Sequence, residues 1–79
     1  MRTALITGAF GGMGRATAVL LRAQGYRVFA LDRHAEKSED PDLIPLEADV
    51  TSEESVQGAM EKIGRCTDHL DAVIHFAGI

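Results

Sequence analysis

The sequence has a single cysteine, Cys66, among 79 residues. A disulfide within the chain is therefore excluded, and so is a cysteine-rich zinc site. One thiol accords with a reducing, cytoplasmic setting. The sequence also lacks any apolar run approaching the roughly 20 residues that span a bilayer. Its opening residues, Met1 to Gly8, carry one basic side chain and only a brief apolar stretch, too short for a secretory signal. It lacks a basic excess as well. Eight lysines and arginines face twelve acids, for a net charge of -4. No basic face is available to neutralise a nucleic-acid backbone. A small anionic ligand is not excluded, because local backbone dipoles hold an anion whatever the overall charge. There is no internal repeat, low-complexity tract or second domain.

What is present is ordinary soluble-domain composition, 46% apolar and 25% charged. A chain of this size buries only about 60–65% of the surface its unfolded form exposes, so its stability is expected to be marginal. Thr3 to Thr7 is a short apolar run closed by glycines and is expected to be a buried strand. From Met13 to Gln24, Ala16, Val19, Leu20 and Ala23 recur at the spacing of one helical face, which predicts a helix with that face buried. Gly25 follows as a left-handed stop. Arg27 to Asp32 is expected to be the second strand, and the polar stretch from Arg33 to Asp42 a loop with at most one helical turn. Leu43 to Ala48 is the third strand, and its Pro45, lacking an N–H, suits a sheet edge. Thr51 and Glu54 fit a capping box that opens a second helix, with Val56, Ala59, Met60 and Ile63 on its buried face and Gly64 at its end. Asp71 to Phe76 is the fourth strand.

Strands alternating with long crossovers imply a parallel sheet. Right-handed crossovers then give a three-layer α/β sheet of four strands in the order 3-2-1-4, the doubly wound Rossmann type. Ligands bind such sheets outside the carboxyl ends of the strands, where the order reverses, here between strands 1 and 4.

The segment Thr7-Gly8-Ala9-Phe10-Gly11-Gly12-Met13-Gly14 stands at that point, directly after a strand and opening a helix. Gly8 turns the chain off the strand. Gly12 removes a side chain where backbone would approach a pyrophosphate. Gly14 lets the helix pack closely. Phe10, Gly11 and Met13 complete the cradle, whose first-turn amides face the phosphates with the helix dipole behind them. A Walker-type loop is ruled out, because Arg15 and Ala16 follow Gly14 where that motif needs lysine and serine or threonine. The alternative is a glycine-rich turn without a ligand, which would leave the helix start weakened with nothing gained.

Asp32 closes the second strand roughly 20 residues past the glycines, where an acid accepts from the adenosine ribose hydroxyls. Its carboxylate would repel a 2′-phosphate and favours NAD. Arg33 pulls towards NADP, because a guanidinium pairs with that phosphate; the balance favours NAD. Either residue could instead be a solvated side chain. Asp49 and Val50 end the third strand, where the carboxylate could accept from the adenine amino group and the Val50 backbone could donate to the ring. Asp49 also fits a helix-entry acid. At the end of the fourth strand, Phe76, Ala77 and Gly78 would line the crevice, the last two small enough for a ligand to lie against backbone. His75 reads as a packed histidine rather than a base or ligand, and Cys66 as an inert thiol.

Together these segments resemble the short-chain dehydrogenase/reductase family over the whole chain. Thr7-Gly8-x-x-x-Gly12-x-Gly14 matches its cofactor motif, Asp32 its NAD-selecting acid, Asp49 its adenine-side acid, and Ala77-Gly78 the second half of its Asn-Asn-Ala-Gly motif. His75-Phe76 replaces the two asparagines, a departure that looks more like the sugar-nucleotide epimerase branch. The resemblance implies hydride transfer between a nicotinamide dinucleotide and a carbonyl or alcohol. It implies catalysis by a serine and a Tyr-x-x-x-Lys pair, none of which this chain supplies. The only tyrosine is Tyr26, and Ala30 stands where the lysine would be. The expectation is an incomplete domain over 1–79: the amino-terminal part of an oxidoreductase, as a truncated gene product or an excised segment, inactive alone. Two rivals remain: a stand-alone nucleotide-binding module, and a folding remnant without a role. The uncovered edge of the fourth strand predicts self-association.

Overall fold

The structure is a computed structural model, and it describes residues 1–76. Four strands, β1 (Thr3–Thr7), β2 (Arg27–Asp32), β3 (Leu43–Glu47) and β4 (Ala72–His75), form one parallel sheet in the order β3-β2-β1-β4. Helix α1 (Gly12–Ala23) joins β1 to β2, and α2 (Glu53–Cys66) joins β3 to β4. The connection from β2 to β3 carries no helix. Continuous apolar runs make β1 and β2 central strands, since a strand covered on both faces has no polar side to alternate.

The two faces of the sheet bury two clusters. Leu5, Phe29, Leu31 and Leu46 pack with Ala59 and Ile63 of α2. Ile6, Val28 and Ala30 pack with Ala9 and with Ala18 of α1 on the opposite face. Three layers result, as expected. Phe29 is fully buried and contributes about 2–3 kcal/mol through the apolar area it removes from water.

Several local expectations are corrected. The face of α1 carrying Ala16, Val19, Leu20 and Ala23 points outward, with Val19 70% exposed. The buried positions are Gly14 and Ala18, flanked by half-buried Thr17 and Leu21. These repeat at the same helical spacing, shifted in phase. A sheet face lined by Ala4, Ile6, Val28 and Ala30 admits the helix closely only where its contacting residues are small. Helix α2 is capped one residue later than expected. Ser52 is the N-cap, and its side chain accepts from the Ser55 amide at 3.3 Å. The helix runs through Gly64 to Cys66. Met60 is exposed. Strands β3 and β4 stop a residue short of the expected ends. Gly25, at φ 87°, ends α1 as expected.

Candidate functional site

The site begins where β1 ends. Gly8 takes φ 69°, a conformation that side chains disfavour, and the chain turns off the strand. Three hydrogen bonds then fix the turn. The Ala9 amide donates to the Leu31 carbonyl at 3.2 Å, and the Gly11 amide donates to the Gly8 carbonyl at 3.3 Å. The Phe10 amide donates to Oδ2 of Asp32 at 3.0 Å. The loop is thus tied to the end of β2 by a side chain as well as by backbone.

Helix α1 starts at Gly12 with Gly11 as N-cap, without a side-chain cap and without an acid in its first turn. The first intrahelical bond runs from the Arg15 amide to the Gly11 carbonyl at 2.9 Å. The amides of Gly12, Met13 and Gly14 have no acceptor among the described residues, as the first donors of a helix require a partner from outside it. A Cβ on Gly12 would meet nothing within 4 Å, so the side-chain position of that residue is open. Met13 is 72% exposed and Phe10 packs against the cluster beneath α1.

Beside the loop lies a cleft of about 320 Å³, within the size range of small-molecule sites. Gly8, Leu31, Asp32, Arg33, Ala48, Asp49, Val50 and Thr51 line it. The structure therefore brings Gly8, Asp32, Arg33, Asp49 and Val50 together at the carboxyl ends of β1, β2 and β3. Asp49 performs the helix-entry task too: its Oδ1 accepts from the Thr51 amide at 2.9 Å and from the Thr51 hydroxyl at 2.7 Å. The Thr51 bonds hold the Asp49 carboxyl below its ordinary value, with a further lowering from the Arg33 charge. Phe76 continues the β4 alignment, its amide donating to the Thr7 carbonyl at 2.9 Å, while its ring packs beneath α1. Ala77 and Gly78 lie outside the described residues.

His75 is not packed away as expected. It is exposed on β4, with its Nδ1 2.8 Å from Oγ1 of Thr7. Its register opposite Thr7 is what brings the two side chains together, since parallel neighbours point to the same face. Two further contacts escaped the sequence reading. Arg15 forms an ion pair with Glu36, and Asp32 ties down the loop as described. Neither partner could be found from spacing, because each pairing joins α1 or its loop to a chain segment far along the sequence. Tyr26 stands at the start of β2, at the opposite end of the sheet from the glycine loop.

A doubly wound sheet with a glycine turn at the reversal of strand order, bare helix amides above it and an acid at the end of the second strand defines a nucleotide-binding α/β domain. Comparison with known proteins narrows this. Residues 2–79 match the short chain dehydrogenase family. Ipsdienol dehydrogenase of Ips pini is 39% identical over 77 residues, which are 95% of this chain and 30% of that protein. Carbonyl reductase family member 4 of Danio rerio is 32% identical, over 99% of this chain and 36% of its own length. Among solved structures, 3-ketoacyl-(acyl-carrier-protein) reductase from Brucella melitensis, complexed with NADH, superposes with a TM-score of 0.83 at 27% identity, over 91% of this chain and 32% of that one. The chain belongs to the short-chain dehydrogenase/reductase family, and it spans about a third of the length of the curated relatives it matches. No helix among the described residues is long and apolar enough to cross a membrane.

Proposed function

We propose that this chain seats a nicotinamide dinucleotide as the front portion of the cofactor domain of an oxidoreductase. The observation that carries the reading is the set of three amides, on Gly12, Met13 and Gly14, that have no acceptor among the described residues. A diphosphate fits there, because it supplies acceptors to donors that otherwise face only solvent and it sits at the positive end of the α1 dipole. Gly8, Phe10 and Gly11 hold the loop in the shape this needs.

The adenosine half takes the neighbouring cleft. Asp32, with Oδ2 on the loop and Oδ1 accepting the His34 amide at 3.5 Å, keeps further lone pairs for the ribose hydroxyls. Asp49 keeps Oδ2 for the adenine amino group, and the Val50 backbone borders the ring. Arg33 lies at the mouth of the same cleft. A carboxylate at the end of β2 makes the site one for NAD in preference to NADP. The nicotinamide half runs towards the end of β4, beside Phe76, which Ala77 and Gly78 follow in sequence.

When bound, the nicotinamide supplies hydride exchange with a carbonyl or alcohol carbon. The residues here bind and orient the cofactor and transfer no proton, because Tyr26 is remote and Ala30 occupies the position a paired lysine would need. Residues 1–79 alone are expected to show no turnover. The test is a titration of the protein with NADH, followed by nicotinamide fluorescence. Saturable binding that NAD displaces supports the reading, and absence of binding overturns it.

A further inference from the structure

We propose that the connection from β2 to β3 is a strap clipped along α1 by two arginines, Arg15 on Glu36 and Arg22 on Asp40, and that releasing the Arg22 clip lets residues 33–40 lift away while the sheet stays folded.

The connection has little of its own to hold it down. Residues 33–42 contain no large apolar side chain, and none of them is buried. Removal of apolar surface from water, which anchors α1 and α2, does not fix this segment. Backbone pairing does not fix it either. Among the described residues, the main chain from 35 to 39 makes no hydrogen bond to another segment. What remains is a set of side-chain ties, and two of them end on the same helix.

Arg15 and Arg22 are two turns apart on α1, so they project from one face. The interval between them along the axis is about 10 Å. From Glu36 to Asp40 an extended chain reaches about 13 Å, whereas a helix would advance only about 6 Å. The extended form matches the interval between the arginines, and the structure has no helix there.

The two clips are unequal. The Arg15 and Glu36 side chains are 51% and 57% exposed, and exposed ion pairs contribute little. Arg22 is 24% exposed. Its Nε donates to Oδ2 of Asp40 at 2.7 Å and its Nη2 to Oδ1 at 3.2 Å, a two-pronged grip on the carboxylate. Its Nη1 donates to the Tyr26 carbonyl at 2.6 Å, which steadies the guanidinium against the chain entering β2. The Arg22 bond, helped by the Asp42 amide, holds the Asp40 carboxyl below its ordinary range. Asp40 in turn shapes the entry to β3. Its Oδ1 accepts the Asp42 amide at 2.9 Å, and its carbonyl accepts the Leu43 amide at 3.1 Å. Arg22 therefore ties the strap at the point where it joins the sheet. The other end of the strap leaves β2 at Arg33, which lines the cleft.

The experiment is trypsin digestion of the folded protein, with cleavage after Lys37 and after Lys62 followed by mass spectrometry. Lys37 is exposed in the strap, whereas Lys62 lies inside α2 and is cut only on wider unfolding. Each rate is divided by that of a free peptide of the same local sequence, which removes the protease's own preferences. The corrected rate then follows the population of the open form. Arg22→Gln is expected to raise cleavage after Lys37 about tenfold, the scale of one charge-assisted hydrogen bond, with cleavage after Lys62 changed less than about twofold. Asp40→Asn is expected to do the same, and the double variant to match either single one, because the two side chains act as one clip. Arg15→Gln is expected to change cleavage after Lys37 less than about threefold. Unchanged cleavage after Lys37 in Arg22→Gln overturns the proposal. An equal rise after Lys62 also overturns it, because Arg22 would then support the whole fold and not a separate strap. So does a double variant whose effect is the product of the two single ones.

Discussion

The place a Cβ would occupy on Gly14 is already filled by the carbonyl oxygen of Gly8, with the Ala9 Cα 2.8 Å away. The obstruction is backbone on both counts, so no side-chain rotation relieves it. Gly14→Ala must push α1 away from the turn or distort the turn itself. Overpacking of this kind costs about 1–3 kcal/mol, and it moves the amides that face the diphosphate. The expected outcome is a lower melting temperature together with NADH binding weakened more than about tenfold. Gly12→Ala is the contrast, because its Cβ meets only open space. It should leave the melting temperature equal or slightly higher, since alanine is the better helix former, while still weakening NADH. If both variants lose stability alike, the division of labour between the two glycines is wrong.

Asp32 joins the loop to the ligand. Its Oδ2 accepts the Phe10 amide at 3.0 Å, and a hydrogen bond to a charged acceptor contributes about 1.5–3 kcal/mol. Asp32→Ala should therefore lower stability by about 1 kcal/mol, after discounting for partial exposure, and should weaken NADH about tenfold. Asp32→Asn keeps an acceptor for Phe10 while removing the charge. It should hold most of the stability and narrow the preference for NADH over NADPH. Urea melts and paired titrations separate the two effects; equal destabilisation by Asn and Ala would show that the Phe10 bond is immaterial.

His69 gives the chain a pH dependence at the other end of the sheet. Its Nδ1 lies 3.0 Å from Asp68 and its Nε2 3.3 Å from Asp71, whose carboxylate also accepts the Thr3 amide at 2.8 Å. The Asp68 bond, helped by the charge of Asp71, raises the imidazole above its ordinary value of 6.5. A group whose folded value is raised stabilises fully below its unfolded value, and that contribution is lost as pH rises through the folded one. The melting temperature should therefore fall as pH climbs past the ordinary imidazole value of 6.5 and through the raised folded one. His69→Gln should flatten that slope, and an identical slope in the variant would assign the effect elsewhere.

The outer edge of β4 pairs with no strand among the described residues, and Val73 on it is 50% exposed. An unpaired strand invites pairing with another chain. Residues 1–79 expressed alone should sediment with a concentration-dependent increase in mass. Val73→Lys, a charge on an edge strand, should suppress it. A single monomeric species at high concentration would refute this expectation.

Much of this architecture was legible from residue order. The apolar runs of β1 and β2 can only be central strands, and the glycines at 8, 12 and 14 place the turn and the helix start. The face of α1 was misread for a physical reason. Two interleaved sets of residues share its period, and Val19 and Leu20 outweigh Gly14 and Ala18 in apolar character. Close approach to the sheet selects for small volume instead. The cap of α2 slipped because Thr51 and Ser52 are both competent caps; the bond from Thr51 to Asp49 uses the first and leaves Ser52 for the helix. The tie from Asp32 to Phe10 depends on the end of β2 standing beside the turn after β1, and that from Arg15 to Glu36 on the β2–β3 loop reaching α1, neither of which local spacing encodes.

Pro45 sits on β3 opposite Ala30. The Ala48 amide donates inward to the Asp32 carbonyl, and counting back along the alternation turns the nitrogen of residue 45 to the outside. A neighbouring strand approaching from that flank finds a missing donor and the bulk of a ring. Among the described residues β4 carries no proline, so a further strand, from this chain or from another copy, is expected to add at that flank rather than beside β3.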